Sequence, residues 1–565
     1  MATNVSPARR ALIMVAVVAG VTAVAFWPVV GFDFVRWDDE INILGNPLLT
    51  DPWSWDLVKR MFGASQALRF EPVHWLLLRA FHAVFGLDSA AWHTLGLALH
   101  VACAVLLALV LRQVFTLSAR RQQARAPATA GAASAPSARA WSLEFAAAVG
   151  ALVWSLHPVR AEVVAWATAS TYPLAALGVL ASFWCYLRGA TTSSRRLLVL
   201  AWIFALVAYG SYPVAATYAL WLLAVDRWLL RPARDAGEAV FPVDGWASLR
   251  RALWFGLPAV AAVAVTLVAR LEAPGVFTAA PDLGSVGVPV RLVMALADLA
   301  WFPVQVLWPT HLTPDHAALT LNHATDAQLA SFAVAGAITL WLAWRNRRHA
   351  PGLALIVFGA VAIAIPCLGL TERPVWPVDR YGYLVDMIIV GGLAGAGLTL
   401  VKARFSWLVA VPAAAIVGVC VVASRRQVRI WRDSTALFTA LASEPSFENH
   451  PGEATHVYLL WGSDELAHGN WKRADALFAR AKAIGFPAIQ AAAEAGDYRR
   501  ALALTADLGH VFALTPLMRR NQAEWLLRMG STAAAIDELK QVQRAMPNDP
   551  ETRRLLQQAE DAEHR

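Results

Sequence analysis

Residues 11–30 read ALIMVAVVAGVTAVAFWPVV, and residues 32–47 read FDFVRWDDEINILGNP. The first stretch carries no charge and is long enough to cross a bilayer. The second sets Asp38, Asp39 and Glu40 side by side just past the membrane boundary. Adjacent carboxylates repel one another, so they add little stability unless they meet a cation or do chemistry. The plain alternative is a solvated loop whose acids cap a helix. Together the two stretches predict a membrane protein with polar chemistry at one face.

Composition agrees. Of 565 residues, 58% are hydrophobic and only 16% charged, with a mean hydropathy of +0.48. That is far more apolar than a soluble globular chain. The 25 tryptophans suit interfacial belts and sugar-stacking surfaces alike. The net charge of +8 does not indicate nucleic acid, because the arginines cluster in short loops between apolar spans. Cys103, Cys185, Cys367 and Cys420 all sit in apolar stretches without metal-ligand spacing and read as small hydrophobes. Arg9 and Arg10 before the first span, with no small-residue cleavage site after it, read as an uncleaved signal anchor.

Apolar spans fall near 11–30, 90–111, 143–157, 168–187, 197–211, 213–230, 252–269, 327–344, 352–370, 384–401 and 405–423. A twelfth stretch, 290–308, is interrupted by Asp298, Pro303 and Gln305. With eleven spans and a cytoplasmic N-terminus, Arg112, Arg188, Arg227, Arg231, Arg250, Arg251, Arg345 and Lys402 with their basic neighbours all fall inside. Counting 290–308 as a span breaks that pattern, so it reads as an interfacial or re-entrant helix on the outer face. The fold class is therefore all-α: a polytopic helical bundle over residues 1–424, followed by a soluble helical domain over 425–565. The bundle's outer loops span 31–89 and 271–326, and residues 118–140 read as a flexible cytoplasmic loop. FDFVRWDDE, LHPVRAEVVAW, PTHLTPDH and ERPVWPVDRYGYL all emerge on the outer face, which favours a site there.

In the C-terminal segment, Gly469-Asn470-Trp471, Gly496-Asp497-Tyr498 and Gly530-Ser531-Thr532 lead into helices at Ala474, Ala501 and Ala535. The last two turns are 34 residues apart, the tetratricopeptide period, and the first interval is 27. Such an array offers a groove for a peptide or protein partner; generic helical packing is the plainer reading.

A family resemblance rests on three segments in order. FVRWDDEINILGNP resembles the first outer loop of the transmembrane and tetratricopeptide repeat-containing proteins, GT-C-type glycosyltransferases that include O-mannosyltransferases. LHPVRAEVVAWATASTYPLAAL resembles their HPV-x-x-E-x-V-A loop, and VDRYGYL their (E/D)RY-x-YL segment. The resemblance implies transfer of a sugar such as mannose from a polyprenyl-phosphate carrier to a hydroxyl of a protein or glycan. No nucleotide cofactor is expected. The lack of an organelle-specific signal favours a bacterial inner membrane, and the topology puts the repeats outside the cytoplasm. Asp38 or Asp39 is then the candidate general base. Arg380 is the candidate grip on the lipid phosphate. Tyr381 and Tyr383 are expected at the lipid or sugar pocket, though aromatics of an interfacial belt look the same. Glu40, Arg69, His157, Arg160 and Glu162 complete the candidate substrate-binding set. Glu162 paired with Arg160, and His157 ending a helix, is the plainer arrangement. A divalent metal is a candidate cofactor, with Asp38, Asp39 and Glu162 as ligands; His311, Asp315 and His316 are weaker, since Pro314 argues against a helix there.

The chain departs from the family pattern at three places. Phe70-Glu71-Pro72-Val73 stands where an Arg-Pro pair is usual. Ser170-Thr171-Tyr172-Pro173 replaces an Arg and an acid, and Gly210-Ser211-Tyr212-Pro213 replaces Ser-Lys-Glu. Two other classes of function stay in view: a catalytically silent scaffold that recruits partners through its repeats, and a transporter of lipid-linked glycans. The absence of internal repeats and of mid-span charges weighs against a transporter.

Overall fold

Long apolar runs punctuated by Pro and Gly satisfy their backbone hydrogen bonds in lipid as helices. The computed structural model describes residues 6–64, 68–125, 136–235, 237, 240–272, 287–310, 312, 326–369, 378–400, 407–444 and 447–563. Among these there is no strand. The chain divides into two units, Met1–Asp433 and Ser434–Arg565.

In the first unit, seven helical stretches are long and apolar enough to cross a membrane, and an eighth is the bent pair Trp141–Ser155 and Pro158–Ala165. Six of the seven match the spans expected from sequence. The stretch 213–230 instead breaks into a 3-10 turn at Pro213, a short helix and a π-helical turn at Asp226–Leu230. Helix Pro351–Ala364 is also short. Residues 118–125 continue helix Ser89–Arg125 rather than forming a loop, since Ala, Arg and Gln favour helix.

The stretch 290–308 is not interrupted: Val288–Leu307 is one continuous helix of 20 residues. Pro303 falls in its last turns, and Asp298 and Gln305 are buried against protein. The preceding helix, Gly245–Glu272, ends beside the first loop, where Thr266 Oγ1 accepts from Phe70 N at 3.1 Å and Arg270 Nε donates to Leu68 O at 3.3 Å. Helix Val288–Leu307 ends at the same side of the bundle, with Val306 O accepting from His157 at 3.0 Å. At the opposite end, Glu144 takes Arg112 at 3.1 Å and Arg10 at 3.6 Å.

Close approach replaces hydrophobic driving force between membrane helices. Helices Thr171–Thr192 and Arg195–Ser211 form a tight hairpin in which a Cβ on Gly178 would lie 2.9 Å from Ala208, and Ser182 Oγ donates to Ala201 O at 2.6 Å.

The first unit also extends past residue 424. Arg425 donates to the carbonyls of Ala25 (3.2 Å) and Val24 (2.8 Å), and Trp431 stacks on Trp166 with centroids 5.4 Å apart. The charged run RRQVR is part of the bundle, and the boundary falls at Asp433.

The second unit is a run of antiparallel helices, Pro451–Ala467 to Pro550–Glu563. Gly469, Gly496 and Gly530 have φ of +78°, +77° and +79°. Each closes the preceding helix identically: the N–H after the glycine donates five residues back, Asn470 to Glu465, Asp497 to Ala492, Ser531 to Leu526. Five residues past each glycine, Ala474, Ala501 and Ala535 are completely buried where helices meet. Ala501→Leu is therefore expected to cost about 1–3 kcal/mol by overpacking. A lowered melting temperature of the full chain, absent for the exposed Arg499→Leu change, checks this.

Candidate functional site

Three loops meet at one end of the first unit. Helix Pro7–Phe26 ends in a 3-10 turn at Trp27–Gly31, and the following loop folds back on itself. Asp39 is completely buried. Its Oδ2 accepts from Val35 N at 2.9 Å, and its Oδ1 accepts from Thr168 N (3.0 Å) and Thr168 Oγ1 (2.6 Å). The acidic loop is thus locked to the 3-10 turn Ala167–Ser170 of the HPV segment. His74 Nε2 and Ser170 Oγ, 3.1 Å apart, make a second tie. Asp38 is only half-buried, and Glu40 is exposed and pairs with Arg36 at 3.5 Å.

Burial pushes the Asp39 carboxyl up to about 6, against the pull of its bonds from Thr168 and Val35. A folded value above the ordinary 3.8 means the neutral form is favoured by folding. That contribution is complete below about pH 4 and is lost as pH rises through about 6. Wild type should therefore gain stability relative to Asp39→Asn as pH falls from 7 to 4. Parallel melting curves across that range check it; a constant difference contradicts it.

The HPV and RY segments are joined by an ion pair. Glu162, buried in helix Ala161–Ala165, accepts from Arg380 N at 3.0 Å through Oε2 and from Arg380 Nη1 at 2.5 Å through Oε1. The Arg380 guanidinium also lies over the rings of Trp166 (5.6 Å) and Tyr381 (5.7 Å). Trp166 is buried, and its indole N–H has no acceptor among the described residues.

Glu162 is therefore not the partner of Arg160. Arg160 is completely buried and pairs with Asp386, with its guanidinium 5.4 Å from the Tyr383 ring and 5.8 Å from that of Trp154. Tyr383 lies in the interior, where its hydroxyl donates to His100 Nδ1 at 2.7 Å while His100 Nε2 donates to Ser155 O at 3.0 Å. His157 is spent on Val306 O. Arg160, Tyr383 and His157 thus hold the framework under the loops.

Arg69 stands apart from them. It is half-buried, with its guanidinium 5.6 Å from the Tyr212 ring. Among the described residues it has no hydrogen bond or ion pair. Tyr212 and Tyr172 are buried, their rings 4.6 Å and their hydroxyls 3.0 Å apart. Arg69, Arg380, Tyr381 and both tyrosines lie within electrostatic reach of one another, with Glu71 beside Arg69. Tyr172, Tyr212 and Glu71 are the very positions at which the chain departs from the family pattern. Sequence reasoning gave them no role; the repeated Tyr-Pro dipeptide at 172–173 and 212–213 was the available signal.

Among the described residues, no group of three or more His, Cys, Asp or Glu is placed to hold a metal ion. Each carboxylate oxygen of Asp39 and Glu162 accepts from at least one protein donor. His311, Asp315 and His316 lie outside the described residues.

The arrangement sets two guanidinium groups, Arg69 and Arg380, within electrostatic reach of three phenols, and Asp38 is half-buried on the acidic loop. It suits an anion with polar and aromatic-stacking parts. Comparison with family models, curated proteins and solved structures finds no match to this chain.

Proposed function

We propose that this protein is a GT-C-like membrane glycosyltransferase that moves a sugar from a polyprenyl-phosphate carrier to a hydroxyl, on protein or glycan, at the extracytoplasmic face. The observation that carries this reading is the pairing of Arg69 and Arg380 around the Tyr172–Tyr212 pair. Two guanidinium groups on one side match a leaving phosphate, and an aromatic wall matches a sugar ring.

Arg380 is positioned by Glu162, so it offers its remaining donors in a fixed orientation. Arg69 is the more available cation. Asp38 is the general base and Asp39 the residue that positions it, since both Asp39 oxygens are occupied. The acceptor O–H loses its proton to Asp38 as oxygen attacks the anomeric carbon. The bond from that carbon to the phosphate oxygen breaks, and polyprenyl phosphate leaves against Arg69 and Arg380. The second unit is a tetratricopeptide-like module for a peptide or protein partner. The bundle makes about eleven crossings, or twelve with Val288–Leu307 counted, with the N-terminus in the cytoplasm and the location a bacterial inner membrane.

Asp38→Asn is expected to lower kcat by roughly 10²–10⁴ with little change in KM, as loss of a general base does. Steady-state transfer in lipid vesicles measures it. A variant with unchanged kcat leaves the silent-scaffold reading, which the tightly engaged Asp39 also suits.

A further inference from the structure

A second feature lies at the opposite end of the first unit. A cleft of about 490 Å³ is bounded by residues 220–231, 243–248, Trp344 and 358–365. That is the range of a small-molecule site. Its floor is aromatic: Trp228 stacks on Phe358 at 5.2 Å, nearly parallel, and Trp344 meets Phe358 edge-on at 6.2 Å. Leu220, Val361 and Ile365 extend the apolar wall. Two arginines stand on it, Arg227 and Arg231, one turn apart on the π-helical turn and its continuation. Both are exposed. Among the described residues neither makes a hydrogen bond or an ion pair. The acid beside Arg227, Asp226, is buried and committed to Arg251 at 2.5 Å and Tyr186 at 2.7 Å, and the exposed Asp235, four residues past Arg231, makes no ion pair with it. Among the described residues, no carboxylate lines the cleft. Arg347 adds a further cation, its guanidinium 3.8 Å from the Trp344 ring.

We propose that this cleft holds a membrane phospholipid with an anionic head, its phosphate on Arg227 and Arg231 and its hydrocarbon along Trp228, Phe358 and Val361. Two adjacent guanidinium groups without a protein counter-ion complement a phosphate. The apolar floor complements an acyl chain, and neither part of the site is used by a free anion or a neutral lipid alone. The π-helical turn matters because it keeps Arg227 and Arg231 on one face while Asp226 turns inward. The site is separate from the proposed sugar-transfer site and does not depend on that reading.

The test is native mass spectrometry of the purified full chain, exchanged from detergent into defined dioleoylphosphatidylglycerol or dioleoylphosphatidylcholine. Wild type should retain one phosphatidylglycerol roughly tenfold or more over phosphatidylcholine, since each surface arginine contributes measurably to anionic-lipid binding. Arg227→Gln with Arg231→Gln should remove that preference. Arg195→Gln with Arg196→Gln, which changes two exposed arginines that do not line the cleft, should keep it. Equal retention of both lipids by wild type overturns the proposal. So does an equal loss in the Arg195/Arg196 control, which means general surface attraction. So does full displacement of the lipid by inorganic phosphate at equal concentration, which means that the apolar cleft plays no part.

Discussion

Arg69→Met is expected to lower sugar transfer at least a hundredfold while shifting the melting temperature by only a few degrees. The reasoning starts from what Arg69 does in the folded chain. It has no hydrogen bond or ion pair among the described residues, and it rests over Tyr212 at 5.6 Å. Methionine keeps most of the apolar stem, so little packing is lost. On the proposed function, what is lost is a preorganised cation for the leaving phosphate, worth about 10²–10³ in rate. Lysine should restore part of the activity, because it keeps the charge without the planar fork. Arg380→Met makes a useful contrast. It leaves the buried Glu162 without its cation, so both stability and transfer should fall. Melting and transfer measured side by side separate the two arginines. Full transfer by Arg69→Met means that the lipid phosphate is not held there.

The largest effect on stability is expected beneath the site. Asp386→Leu alone should cost about 3–5 kcal/mol, because it leaves Arg160 charged and completely buried. The cost is the uncompensated charge, not the value of the pair. Among the described residues, two Arg160 donors, Nε and Nη1, lack hydrogen-bond partners, and the guanidinium faces the Trp154 and Tyr383 rings. Replacing both residues, Arg160→Met with Asp386→Leu, should recover most of the loss, since well-packed apolar groups often substitute for a buried pair at little cost. A double-mutant cycle of unfolding in detergent reads this directly. If the double variant is as unstable as the sum of the singles, the pair is not the unit that matters.

The loop motifs were legible because each is a short contiguous pattern. FVRWDDE, HPVRAE and VDRYGY could be read one at a time, and the structure brings them together through Asp39–Thr168 and Glu162–Arg380. Which arginine pairs with which acid was not legible. Arg160 and Glu162 are two residues apart on one chain segment, and the structure sends them to different partners, Asp386 and Arg380. Such choices depend on contacts more than 200 residues away. Local spacing carries no trace of them. Tyr172 and Tyr212 were missed for the same reason: each looks like a lost charge alone, and only their contact gives them meaning. Helix Val288–Leu307 looked interrupted because Asp298 and Gln305 are polar, yet burial against neighbouring helices removes them from lipid. The glycine turns of the second unit were legible, because a left-handed glycine followed by a buried alanine leaves a fixed sequence mark.

The most direct test of glycosyl transfer from a lipid phosphate is a product balance. Purified protein in lipid vesicles is given a polyprenyl-phosphate sugar with radiolabel on the sugar, plus a hydroxyl-bearing acceptor. Wild type should move label to the acceptor and release polyprenyl phosphate in equal amount, and the Asp38→Asn protein should do neither. Label transferred equally well from a nucleotide sugar, undiminished transfer by Asp38→Asn, or no transfer from any carrier lipid would contradict it.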